Sequence, residues 1–268
     1  MNGVIYYNTG ISYLVRLLVS AYSLRRFYSG DIAILSWGDA SHYISSQIAK
    51  AVNAQLIRIN PQIESSDSPQ FLVKTRLHEF SPFVNTLYLD ADTLILKKID
   101  NLFPIIKTHS FLASTVDGWK TTDEHIRTRL EGWRGFYPQH VKKALKFGRV
   151  INCGVMGFNR TSTLLKSWYK FTLPGKNLFV PDEIACQLLL TEHPHTLVDS
   201  RYNCMSKYCN IGYETKIVHY HARKHCTMPQ AKNWLGVYYE VISKNVANIK
   251  SWQPANDKIL KQYLDGNR

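Results

Sequence analysis

The sequence predicts an α/β fold with a mostly parallel central sheet flanked by helices. Three observations predict it. From Val4 to Leu89, short apolar runs rich in β-branched and aromatic residues alternate with segments of helical periodicity. The strand-like runs are apolar on both faces, as strands covered by helices on both sides must be. The last of them stops at Asp90-Ala91-Asp92, and the carboxyl end of a strand is where open parallel sheets bind ligands.

Val4–Tyr7 is the first strand and Asn8-Thr9-Gly10 the turn after it. Over Tyr13–Phe27 the residues Leu14, Leu17, Leu18, Ala21 and Leu24 recur at helical spacing, giving an amphipathic helix stopped near Gly30. Ile32–Ser36 is a second strand, His42–Val52 a helix, Gln55–Ile59 a third strand and Pro61–Pro69 a polar loop. Leu72–Glu79 reads as a helix with a basic face of Lys74 and Arg76, ahead of the strand Asn85–Leu89. Phe111–Thr115 is another strand. Thr121–Phe147 is helical in parts, broken around Gly132-Trp133-Arg134-Gly135 and at Pro138. Val150–Asn159 reads as a strand pair or a turn-rich strand. Thr163–Phe171 and Asp182–Leu190 are helices, Thr196–Val198 and Lys216–Val218 short strands, Lys232–Ile242 a helix, and 251–268 a polar tail.

Of the 268 residues, 45% are hydrophobic and 20% charged, enough to bury a core and to exclude wholesale disorder. The net charge of +13 suits nucleic acid, an anionic membrane or phosphate-bearing substrates without choosing among them. The cysteines Cys153, Cys186, Cys204, Cys209 and Cys226 are odd in number and irregularly spaced, so they are expected to be mostly reduced. Cys204 and Cys209, with His219, His221, His225 and Cys226, do not match the spacing of a zinc finger or ribbon. Ile11–Leu24 is apolar, but Arg16 interrupts it and Arg25-Arg26 ends it, too soon for a bilayer span. The start shows no signal peptide, so the expectation is a soluble, cytoplasmic chain.

Several groups could carry chemistry. The Asp90 and Asp92 carboxylates would repel one another without a cation, and Mg²⁺ or Mn²⁺ accepts such oxygen ligands together with phosphate. The plainer reading is a turn capped by two solvated acids. His219-Tyr220-His221-Ala222-Arg223-Lys224 follows a short strand. A neutral imidazole there could complete a metal shell, and the cations could bind a diphosphate; the alternative is a basic surface turn. In Asn152-Cys153-Gly154-Val155-Met156-Gly157-Phe158-Asn159 the glycines permit close backbone approach to a ligand, or mark a bulge. Asp182 and Glu183 are either functional acids or first-turn acids that favour a helix N-terminus. Neither a phosphate-binding Gly-Lys-Ser/Thr loop nor the dinucleotide glycine motif is present.

As an ordered set these motifs resemble GT-A type nucleotide-sugar glycosyltransferases, near the glycogenin-like family 8 group. The matching pieces are Asn8-Thr9-Gly10, Lys74-Thr75-Arg76, Thr86 to Asp92, Asn152 to Asn159, Asp182-Glu183 and His219-Tyr220. The resemblance implies a single Rossmann-like GT-A domain over 1–250, with a nucleotide-binding half over about 1–115 and a small acceptor-side subregion over about 116–230. It implies metal ligation by Asp90, Asp92 and His219, and Asn8, Thr9, Gly10 and Tyr13 near the nucleotide. Lys74, Ala91 and Lys224 would lie by the donor, and Asn152 and Gly154 would line the sugar pocket. Asp182 and Glu183 would guide the acceptor or support oxocarbenium-like charge. The implied reaction is transfer from a nucleotide-sugar donor, a UDP-sugar by choice, to a glycan or other hydroxyl-bearing acceptor, with retention. The chain departs from the pattern at Ala222, His225-Cys226 and Glu183, where the family usually has Gly, Pro-Trp and Gln.

Two rivals use the same features differently. A sugar-phosphate nucleotidyltransferase shares the metal–phosphate logic but usually has a Gly-rich basic loop after its first strand, for which Asn8-Thr9-Gly10 is a poor substitute. A basic nucleic-acid binder working through residues 127–149 explains the charge, but leaves carboxylates that would repel a phosphate backbone.

Overall fold

The computed structural model describes residues 1–10, 13–38, 42–205, 211–220 and 228–244. In chain order the elements are β1 (Asn2–Asn8), α1 (Leu14–Arg25), β2 (Asp31–Trp37), α2 (His42–Ala51), β3 (Gln55–Ile59), α3 (Pro69–Lys74), α4 (Leu77–Phe80) and β4 (Asn85–Leu89). Next come β5 (Thr93–Ile95), α5 (Leu102–His109), β6 (Phe111–Thr115), α6 (Glu124–Glu131), α7 (Pro138–Phe147), β7 (Ile151–Asn159) and α8 (Thr163–Thr172). The described chain ends with α9 (Pro181–Leu189), β8 (Thr196–Val198), β9 (Cys204–Met205), β10 (Ile217–His219) and α10 (Met228–Ser243).

A seven-stranded sheet runs β3-β2-β1-β4-β7-β6-β8. The pairs β3/β2, β2/β1 and β1/β4 are parallel, as is β6/β8, while β7 runs antiparallel to both its neighbours. Because β1 and β4 are parallel, their carboxyl ends, Asn8 and Leu89, open at the same edge of the sheet. A second sheet, β5-β10-β9, stands just beyond that edge. It pairs Thr93 with His219 and His219 with Met205.

Buried apolar residues form a cluster on each face of the large sheet. Residues of α1, α2, α5 and α10 cover one face. Residues of α3, α4 and α6–α9 cover the other. Strand β4 is buried at every residue, which accounts for its lack of polar alternation. Helix α1 is buried nearly all round, not only on the leucine stripe. Its small polar residues lock the second sheet in place: Ser23 Oγ accepts from Ile95 N–H (3.0 Å), and the Ser20 and Thr93 hydroxyls share a 2.8 Å bond.

The structure corrects several boundaries. The expected helix over Leu72–Glu79 is two short helices, with Thr75 closing the first by donating its hydroxyl to Leu72 O (2.7 Å). The 150–159 stretch is one strand instead of two. It stays in register with β4 but shifts against β6, where Ala113 pairs with Met156 and Ser114 with Asn152. The shift places a bulge around Gly154, as one reading of the glycines anticipated. Elements β5, α5 and β9 were not anticipated. Trp133 and Trp168 are core residues, and Trp133 stacks on Tyr137 and Phe171. Cys153 and Cys186 are free thiols, as expected, whereas Cys204 is disulfide-bonded. No helix among the described residues is long and apolar enough to cross a membrane.

Candidate functional site

Three metal-ligating side chains converge at the shared edge. Asp90 continues the β4 ladder, its N–H donating to Gly154 O (2.8 Å). The turn then closes: Thr93 N–H and Oγ1 both donate to Asp90 O, at 3.2 and 2.8 Å. Asp92 is tied to the late chain, its carbonyl accepting from Tyr220 N–H (2.9 Å). One ligand atom each from Asp90, Asp92 and His219 lies within 4.8 Å of the others. His219 Nε2 is 3.2 Å from Asp92 Oδ1 and 3.8 Å from Asp90 Oδ2.

Cations surround the acids. Lys74 Nζ reaches Asp90 Oδ1 and Oδ2 at 3.0 and 3.3 Å, stands 4.0 Å from Asp182 Oδ2, and lies 4.9 Å over the Tyr88 ring. Tyr88 donates its hydroxyl to Asp90. Arg16 is 3.9 Å from Asp92 Oδ2 and only 5% exposed. Burial alone would lower the Lys74 pKa, but Asp90 above all holds it well above the ordinary lysine value. Burial likewise opposes charge on His219, and Asp92 outweighs it, so the imidazole pKa is raised. Burial pushes Asp182 up to about 6 against the pull of Lys74. Burial, followed by the Asp182 charge, pushes Glu183 up to about 7.

The donor set fits a hard divalent ion: two carboxylates and one imidazole nitrogen, held by strand ends and backbone bonds. A cleft of about 360 Å³ opens over it. Asn8, Thr9, Tyr13, Lys74, Asp90, Ala91, Asp92 and His219 all line this cleft, as the sequence led one to expect. Two of its wall residues carry buried polar atoms without a hydrogen-bond partner, Tyr7 Oη and Asn8 Oδ1, and a bound polar ligand would satisfy such atoms.

Other expected residues stand elsewhere. Gly10, Asn152, Gly154, Asp182 and Glu183 are not among the lining residues. Gly154 packs against the His219 ring, and a Cβ there would meet His219 Cε1 at 2.2 Å. Asn152 is buried and spends its amide on Glu183 Oε2 (2.7 Å) and on Gly154 N–H (2.9 Å). Asp182 is 2% exposed, with Oδ1 lacking a partner. Lys224, Arg223 and His221 lie outside the described residues, as does the 251–268 tail.

Sequence reading missed Tyr7, Arg16, Phe71, Tyr88 and Val180 as cleft residues. Arg16 left a trace, a charge inside an apolar helical stripe. Val180 left none. It adopts φ 42°, a left-handed backbone that a β-branched residue seldom takes, immediately before α9.

No protein-family model matches the sequence, and no curated protein does either. Solved structures do. The glycosyltransferase GlyE of Streptococcus pneumoniae TIGR4 is 17% identical, with 91% of this chain and 64% of that one aligned at a TM-score of 0.58. The galactosyltransferase LgtC, solved with donor and acceptor sugar analogues, is 17% identical, with 89% and 95% covered and a TM-score of 0.58. Mouse xyloside xylosyltransferase 1 is 15% identical, with 83% and 98% covered and a TM-score of 0.57. This chain therefore spans less than two thirds of GlyE and nearly all of the other two. The fold is that of GT-A type glycosyltransferases. The likeness does not single out the glycogenin-like group.

Proposed function

We propose that this chain is a metal-dependent glycosyltransferase, moving a sugar from a nucleoside-diphosphate donor, a UDP-sugar, to a hydroxyl of a glycan or other acceptor. The observation that carries this reading is the meeting of Asp90, Asp92 and His219 at the floor of one cleft, from two sheets. Mn²⁺ or Mg²⁺ bound there would neutralise the charge of the departing nucleoside diphosphate. The chain's own residues divide the remaining work. Asn8, Thr9 and Tyr13, at and beyond the end of β1, are placed to hold the base and ribose. Lys74 and Arg16 add fixed positive charge beside the phosphates in a partly dry site, where electrostatics act strongly. Asp182, behind Lys74, is assigned to the donor sugar, and retention of configuration is carried by the resemblance. The +13 balance supports an anionic substrate, while the acidic centre of the cleft disfavours a nucleic-acid backbone.

A thermal-shift panel of nucleotide sugars, each with and without Mn²⁺, tests the reading. One donor should raise the melting temperature only when the metal is present, and turnover should release free nucleoside diphosphate. Pyrophosphate exchange would instead identify a nucleotidyltransferase. Absence of any metal-dependent shift across the panel would sink both enzyme readings.

A further inference from the structure

Glu183 does not line the cleft, yet it is joined to the metal triad through two amides. Asn152 Nδ2 donates to Glu183 Oε2 at 2.7 Å, and Asn203 Nδ2 donates to Asn152 Oδ1 at 3.0 Å. Asn203 Oδ1 then faces His219 Nδ1 at 2.9 Å. Asn152, Asn203 and His219 are all buried, so each amide must find its partners within the protein.

Backbone groups that act one way only fix the direction of every link. Gly154 N–H can only donate, and it donates to Asn152 Oδ1 (2.9 Å), so the Asn152 nitrogen turns to Glu183. The Asn152 carbonyl can only accept, and it accepts from Asn203 Nδ2 (3.3 Å), so Asn203 Oδ1 turns to His219. An amide oxygen opposite Nδ1 requires a proton on Nδ1. In the neutral ring the lone pair is then on Nε2, the nitrogen 3.2 Å from Asp92 Oδ1.

The geometry points to Glu183 as a positioning residue. As the terminal acceptor of the chain it holds Asn152, and through Asn203 it sets the His219 tautomer that presents Nε2 to a metal ion. Only the last step rests on the metal reading above; the tautomer assignment stands without it. Glu183 also accepts from Cys153 N–H (3.2 Å), so losing this acceptor would strand two donors at the bulge of β7. The role needs an acceptor at this position and not a charge, which separates it from an acid that acts on substrate.

The test compares the full chain with Glu183→Gln, which keeps a carbonyl acceptor, and Glu183→Met, which is of similar length and has none. Ring-nitrogen NMR of His219, in metal-free protein above its titration, reads the tautomer directly. A Mn²⁺ titration of each protein reads the affinity. The parent and the Gln variant should both show Nδ1–H and bind Mn²⁺ within about 2-fold of each other, whereas the Met variant should mix tautomers and bind roughly 10-fold more weakly. An Nε2–H ring in the parent chain overturns the proposal, as does a Gln variant impaired like Met, or a Met variant with the parent's tautomer and affinity. Should the Met variant not fold, the parent tautomer and the Gln variant still decide. A parent chain with Nδ1–H that binds no Mn²⁺ would remove the metal reading and leave the tautomer assignment in place.

Discussion

Gly154 and His219 share one space: a β-carbon on the glycine would stand 2.2 Å from the imidazole Cε1. Strand β7 is held between β4 and β6, so the ring, not the strand, must yield. Gly154→Ala should weaken Mn²⁺ binding by about 10-fold or more. Overpacking should also cost roughly 1–3 kcal/mol of stability in denaturant unfolding. An alanine variant that binds the ion like the parent would show that His219 is not a ligand.

Asp92 faces both His219 and Arg16. Asp92→Asn removes one metal ligand while keeping the side chain's size. Transfer should fall by about 100-fold or more, with the circular dichroism spectrum unchanged. Chelation of the parent with EDTA should give the same loss, reversed by Mn²⁺. Parent-like turnover by the Asn variant in chelator would exclude the proposed site.

Lys74 lies between Asp90 and Asp182, and all three are largely withdrawn from water. Lys74→Met leaves both acids without their cation. Destabilisation of about 3 kcal/mol is expected, the order seen when one partner of a buried ion pair is removed. A variant as stable as the parent at neutral pH would mean that the acids find their compensation elsewhere.

Arg16 has two opposed effects. It adds positive charge beside the phosphates but repels the ion from Asp92, 3.9 Å away. Arg16→Met should therefore raise the donor KM while leaving Mn²⁺ affinity unchanged or tighter, at low ionic strength. Loss of metal affinity in the variant would assign Arg16 to holding the Asp92 turn instead.

Folding stability should depend on pH through Asp182 and Glu183, whose pKa values are raised to about 6 and about 7. Both acids bind protons more tightly folded than unfolded. Their contribution is fully present below the ordinary carboxyl range and is lost as pH rises through about 6 and then about 7. Glu183→Gln removes one of these titrations. Its melting temperature should gain on the parent between about pH 5 and 8; a constant difference would show that Glu183 does not ionise in that window.

The sheet and the metal triad were largely legible in the sequence. Strands β3, β4, β6 and β8 fall on their expected residues, because short apolar runs bounded by turn residues are distinctive. Asp90 and Asp92 stood out for the same reason, being carboxylates where such a run stops. Strands β5 and β9 have three residues and two, too few for any period to register. Glu183 looked like a catalytic acid because first-turn acids at a helix start show in sequence, whereas a partner 31 positions away does not. The left-handed backbone of Val180 is likewise a tertiary outcome, since valine carries no signal for it.

The pairing of Thr93 with His219 has a consequence for biosynthesis. As the polypeptide leaves the ribosome, strands β1 to β8 can all be in place before the histidine has been translated. The acidic turn would wait, with its cation partners Lys74 and Arg16 but without its third ligand, until the last short strand docks. Ion capture would then mark the moment at which the nascent protein has closed its second sheet.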